Sequence, residues 1–260
     1  MALIINVLYK LGTFQNPLIK LYKEIRMDEF VLFASLPDMG QVGGLVVQHL
    51  ITELNAEKFA DIKIFEKPWV KVEEGLVSPV VDKFELFFNK DHRIIILSGS
   101  EQPQDPNNLL NLCTSIFSLM NKIGVPKQIY TSGGYHKPQL VGAPRVFAVS
   151  TDKNTIQQLK QHGVEIFDKE VEIITWFNGL IMAVAKEMGL NAIGLFGEIS
   201  ETNKPQPLAA KSIVKTFSKL EGMAINTDKF DVDYENQILE GRKNVGLGEP
   251  SKKDPNPGIG

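Results

Sequence analysis

Apolar positions along the chain alternate between short, nearly unbroken runs and stripes at helical spacing. Phe30–Leu36 (FVLFASL) is a run of strand length bounded by Pro37, and such runs suit a strand covered on both faces. Gly40, Gly43 and Gly44 follow and open an amphipathic helix reaching Leu54. Arg93–Leu97 (RIIIL) and Ala192–Phe196 repeat the buried-strand pattern, and Gln128–Thr131 and Val146–Val149 are shorter β-prone runs. Between them lie helices. Asp105 and Pro106 form an N-cap and first-turn pair, ahead of a stripe of Leu109, Leu112, Cys113, Ile116, Phe117, Met120 and Ile123 that Gly124 and Pro126 end. Phe177, Leu180, Ile181, Val184 and Met188 form a second stripe closed by Gly189, and Ala209, Ile213, Thr216, Phe217 and Leu220 a third between Pro207 and Gly222. Lys153–Gln161 reads as a polar helix, and Asp228–Arg242 as a final amphipathic one.

Alternating strands and helices predict right-handed crossovers and a three-layer α/β/α sandwich with a mainly parallel sheet. Asp61–Glu66, Val70–Val72 and Phe84–Phe88 instead predict an antiparallel β-hairpin excursion. The division that follows is one α/β domain over 27–243, an N-terminal extension over 1–26 and a tail over 244–260. From Gly246 onward the tail holds four glycines and three prolines with almost no apolar side chains, a composition expected to stay disordered. The opening MALIINVLYKLG lacks the basic start and small-residue cleavage site of a secretory signal. Met27 is a candidate translation start, which would make 1–26 an annotation artefact; the competing expectation is a surface segment in which Asn16–Tyr22 packs as a short element.

Composition narrows the class. The 28 basic and 31 acidic residues leave a net charge of -3, so no general attraction to nucleic acid or an anionic membrane is expected. No run reaches the roughly 18 apolar residues of a membrane span. The lone Cys113 excludes an intramolecular disulfide and a multi-cysteine metal site, fitting a reducing, cytoplasmic setting.

Candidate chemistry gathers where parallel strands end. Asp38, Gly40, Gly43, Glu101, Gly133, Gly134, Tyr135, His136 and Glu198 all fall at predicted strand ends, and the acids, Tyr135 and His136 could form an acid/base cluster. The glycine spacing is neither the dinucleotide fingerprint nor a triphosphate loop, and Asp38 puts negative charge where a phosphate would sit. Gly40 reads instead as a turn residue, Gly43 and Gly44 as a close helix-to-sheet contact, and Asp38 as a carboxylate favoured by the helix dipole. No nucleophile elbow is present, the four histidines are dispersed, and nothing has metal-ligand spacing, so no metal or cofactor is expected.

Five co-linear segments carry a resemblance: LPDMGQVGGLVVQHLI, IIILSGSEQP, GVPKQIYTSGGY, NGLIMAVAKEMGLNAIGLFGE and PQPLAAKSIVKTFSKLEG. Together, over residues 30–222, they resemble the PAC2 family, which includes archaeal proteasome assembly chaperones. The resemblance implies a phosphorylase/hydrolase-like sandwich, homo-oligomers and a non-catalytic chaperone role toward proteasome α subunits. Members that dock on the proteasome core carry a C-terminal hydrophobic-Tyr-any motif; this sequence ends Pro257, Gly258, Ile259, Gly260. That departure speaks against docking by the C-terminus and leaves open a paired PAC2 homologue carrying the motif. The contact surface expected first is the aromatic stretch with Trp69, Phe84 and Phe87, the competing reading being that these rings are core. The rival function is a small-molecule enzyme acting on nucleosides or carboxylates at the strand ends.

Overall fold

In a computed structural model of the chain, the described residues are 17–67, 69–167 and 171–246, with side chains described up to residue 240. The expectations for residues 1–16 and for the tail beyond 246 fall outside them. The central strand β2 (Glu29–Ala34) alternates its side chains between two cores. Phe30, Leu32 and Ala34 enter one, Val31 and Phe33 the other, which is why the run is apolar without a break.

Strand β7 (Ile94–Gly99) lies parallel to β2 on one side and β8 (Val125–His136) parallel on the other; β11 (Ala192–Ile199) continues the parallel core beyond β8. The flanks are mainly antiparallel. Beyond β7 come β6 (Asp82–Asn89), β3 (Glu57–Ile64) and β1 (Leu18–Leu21), each antiparallel to its neighbour. Beyond β11 come β9 (Val146–Ser150), antiparallel, and β10 (Glu165–Ile166), parallel to β9. The nine-stranded order is β1-β3-β6-β7-β2-β8-β11-β9-β10.

Helices cover both faces. α1 (Val42–Glu53), α3 (Lys153–Gln161), α5 (Pro207–Glu221) and α6 (Lys229–Gly246) pack on one; α2 (Pro106–Ile123) and α4 (Trp176–Glu187) pack on the other. The three-layer α/β/α expectation holds, with the parallel character concentrated in the centre of a mixed sheet. α6 runs past the boundary expected at 243. Asp105 caps α2 by accepting the N–H groups of Asn107 and Asn108, and Cys113 sits wholly buried on its inner face, where burial pushes its thiol up to about 12. Among the described residues, no helix is long and apolar enough to cross a membrane.

Two expectations change. The run around Phe84 belongs to the main sheet: β3 and β6 pair with each other, and only β4 (Val70–Glu73) and β5 (Leu76–Pro79) form a separate two-stranded hairpin between them. Further along, Ser132–His136 and Gly197–Glu198 are strand rather than loop, because β8 and β11 stay in register as far as His136 and Ile199. Gly133, Gly134 and Gly197, expected at the strand ends, lie inside the ladder.

Two buried carboxylates on the antiparallel flank behave oppositely. Burial would raise the Asp61 carboxyl, but hydrogen bonds from Lys58 and from the Tyr22 hydroxyl, the latter 2.6 Å long, outweigh it and hold it below the ordinary range. Asp82 lies against Glu66 at the root of the hairpin. Burial first, and the Glu66 carboxylate second, push it from 3.8 to about 7. Asp82 therefore keeps its proton in the folded state over a range where the unfolded chain has lost it, so its stabilising effect is full in acid and disappears as pH rises from 3.8 to about 7. Asp61 acts with the reverse sign, its contribution present above its unfolded value and lost as pH falls. Denaturant titrations at a series of pH values should show Asp82→Asn gaining stability over wild type between about pH 4 and 7, with the acid-side loss common to both proteins.

Candidate functional site

β8 outruns its neighbour β2. Their pairing stops at Phe33 and Tyr130, so among the described residues the later N–H groups on that side of β8 face no strand. Two side chains from the segment after β2 supply the missing acceptors. Ser35 Oγ accepts from Ser132 N at 2.7 Å and lies 2.9 Å from Ser132 Oγ. Asp38 Oδ2 accepts from Gly134 N at 2.6 Å, while its Oδ1 accepts from Gly43 N at 2.8 Å, near the start of α1. One carboxylate thus clips the first helix to the end of the central strand. Burial pushes that carboxyl up to about 6 against the lowering effect of the two N–H groups.

The backbone there needs glycine. Gly40 has φ +66°, and a Cβ at Gly43 would stand 2.5 Å from Leu36 O and 2.8 Å from Ser132 O, well inside contact distance. The turn and close-packing reading of these residues matches the geometry, and neither glycine lines the cavity described next.

That cavity, about 640 Å³, opens beyond the carboxyl ends of β8 and β11. Of the strand-end candidates, Asp38, Gly134, Tyr135 and His136 line it, and Gly133 stands directly behind. Its other walls are Met39, Phe167, Phe196 and the segment 171–176 before α4. Glu101 is elsewhere, in an adjoining cleft shared with Asp38 and Trp176. Glu198 is removed from the acid/base cluster altogether: it is buried, with Arg145 Nη2 at 2.7 Å and Lys137 Nζ at 3.4 Å. Burial would raise its carboxyl, but the Arg145 hydrogen bonds outweigh this and hold it lowered. A carboxylate kept ionised by cations is a poor proton carrier.

Four residues at the site escaped sequence reading. Gln102 donates to Pro37 O at 2.8 Å and accepts from Phe177 N at 3.1 Å, tying the loops after β2 and β7 to the start of α4. Thr131 Oγ1 donates to Asn178 Oδ1 at 2.5 Å, and Asn178 lines the cavity while only 7% exposed. The legible signal was Asn178 itself, a polar residue on the buried face shared with Ile181, Met182 and Ala185. Trp176, at the cavity rim and 49% exposed, has φ +56°; a bulky residue in the left-handed region stores strain of about 1–3 kcal/mol, a cost concentrated at functional sites.

The predicted aromatic contact surface separates under inspection. Phe84 is 1% exposed and belongs to the core, and Phe87 packs against the opposite core, since alternate positions of β6 point to opposite faces. Trp69 alone of the three reaches the surface, at 59% exposure. It leads into the hairpin, whose directly opposed pairs Val70 with Pro79 and Val72 with Val77 share one face. That face is apolar and exposed; Lys71, Glu73 and Ser78 occupy the other with Leu76.

Comparison with known proteins gives a consistent picture. The model of the PAC2 family matches residues 32–237. The uncharacterized protein MJ1210 of Methanocaldococcus jannaschii is 28% identical over 207 residues, 79% of each chain. Among solved structures, Pyrococcus furiosus PbaB, described as an archaeal proteasome activator, superimposes with a TM-score of 0.77 at 26% identity, over 89% of this chain and 99% of its own. Pyrococcus furiosus PbaA, described as an archaeal homolog of proteasome-assembly chaperone, shares the fold with a TM-score of 0.74 at 19% identity, over 89% and 93%.

The clip formed by Asp38 is directly testable. Asp38→Ala leaves two shielded N–H groups without acceptors and should cost about 2 kcal/mol, read from urea unfolding. Native-state hydrogen exchange should show Gly43 and Gly134 losing protection together; unchanged exchange at Gly134 would contradict the clip.

Proposed function

The chain belongs to the PAC2 family, and we propose that it acts as a non-catalytic, proteasome assembly chaperone-like protein that holds proteasome subunits, α subunits in particular, during assembly. Family membership supports this reading, as does likeness to PbaB over nearly the whole of that protein. The observation that carries it is the β4–β5 hairpin, an amphipathic ribbon projecting from the sheet with Val70, Val72 and Val77 each at least half exposed.

A two-stranded ribbon is marginal in water by itself, and contiguous exposed apolar surface rimmed by polar residues is the mark of a protein contact. Its apolar face would cover a subunit surface that the finished assembly later buries, while Lys71 and Glu73 on the reverse keep the free arm solvated. Such holding needs only reversible burial of apolar area and no chemical step. Self-association, pairing with a second family member and a cytoplasmic setting are part of the same proposal.

Native mass spectrometry with purified proteasome α subunits tests it. A mixed complex is expected for the wild type, and Val72→Lys with Val77→Lys should weaken it by about tenfold or more, since two apolar contacts are lost and two charges desolvated. The melting temperature should hold, because both positions are exposed in the free chain. Absence of any wild-type complex with α subunits would overturn the proposal.

A further inference from the structure

The strand-end cavity has the makings of a ligand site that the chaperone reading does not use. Asn178 is nine-tenths buried and lines the cavity; its Oδ1 is engaged by Thr131 Oγ1, which sets the amide orientation. Among the described residues, its Nδ2 has no hydrogen-bond partner. Asp38 stands beside it: Oδ2 and Asn178 Nδ2 lie 2.5 and 2.7 Å from the point where a Cβ on Gly133 would be. A side chain at this position would clash with both polar atoms, so glycine is what lets Asp38 and Asn178 sit together against β8 while both line the cavity. The backbone N–H groups of Gly43 and Gly134 take one lone pair from each Asp38 oxygen, leaving capacity for a further donor.

The cavity therefore offers an acceptor and a donor side by side. Their surroundings are mixed, with aromatic and aliphatic surface from Phe167, Phe196, Trp176 and Ile174 beside the polar side chains of Gln102 and His136. An anionic ligand is disfavoured by the Asp38 carboxylate and by Glu172, also on the wall. A purely apolar ligand would leave Asn178 and Asp38 desolvated without partners. What satisfies both is a flat, uncharged ring system with an N–H next to an acceptor along one edge, which is the chemistry of a nucleobase. A volume of about 640 Å³ accommodates the base with a sugar attached.

We propose that this cavity binds a neutral nitrogen heterocycle of the nucleobase or nucleoside class, its polar edge read by Asp38 and Asn178 and its faces packed by Phe167, Phe196 and Trp176. No reaction is implied, and the site lies apart from the hairpin.

The test is calorimetric titration of the full chain with inosine and with adenosine, beside two controls. Benzoate is flat and aromatic but anionic; δ-valerolactam carries the amide edge without aromatic faces. Saturable binding of at least one nucleoside is expected, with both controls weaker by about tenfold or more. Asn178→Asp keeps the acceptor for Thr131 while replacing the donor with a carboxylate oxygen, and it should abolish binding. Trp176→Ala, at an exposed position, should weaken binding about tenfold without unfolding the protein. The idea is overturned if neither nucleoside binds at millimolar concentration, if Asn178→Asp binds as wild type does, or if the lactam matches the nucleosides. Complex formation with α subunits should be unchanged in Asn178→Asp, and nucleoside binding unchanged in Val72→Lys with Val77→Lys, so the two readings fail separately.

Discussion

Much of the site depends on one mismatch: β8 extends beyond β2, and the chain must satisfy the N–H groups this exposes. A shielded N–H without an acceptor costs as much as a lost hydrogen bond, so the segment after β2 cannot leave at will. Ser35 and Asp38 take the places of strand acceptors, and the same carboxylate catches Gly43 near the start of α1. The position of the first helix, the path of the turn before it and the floor of the cavity follow from this substitution. Gln102 extends the arrangement to the start of α4, so three loops at the sheet edge are held by side-chain to backbone hydrogen bonds rather than by packing alone.

The molecule keeps its two candidate contact surfaces apart. The cavity is fastened to the parallel centre of the sheet, where strands are buried on both faces and the loops are cross-tied. The hairpin hangs from the antiparallel flank between β3 and β6, with the Glu66–Asp82 carboxyl pair at its root. A concave site whose loops are cross-tied suits discrimination among small flat molecules. An exposed amphipathic ribbon suits adaptation to a protein surface, and its lack of internal support means that a partner has more to offer it than solvent does.

Legibility followed burial. Runs such as Phe30–Leu36 and stripes such as Leu109–Ile123 were readable because a strand or helix covered on its inner face must present apolar residues at that period. At Gly133 and Gly134 the sequence marked a strand end, and only the long in-register pairing with β11 carries the strand on to His136. For Phe84 and Phe87 the sequence left contact surface and core both open, because consecutive residues do not reveal that β6 is covered on both faces. Asn178 was visible as a polar interruption of a buried stripe, but its meaning required Thr131 and Gly133, far away in sequence.

By itself the sequence determined the layer architecture, the strand and helix content of the core, and the five segments of family resemblance, since these rest on local periodicity and on residue order. Tertiary structure alone decided which polar groups became a site. Asp38, first understood as a charge placed for a helix dipole, is an acceptor for a strand nearly a hundred residues later, whereas Glu198, of the same chemical type and also at a strand end, is spent on Arg145 and Lys137. The physical reason is that a carboxylate's role is set by the donors around it, and those donors come from elements that only folding brings within 2.6 to 3.4 Å.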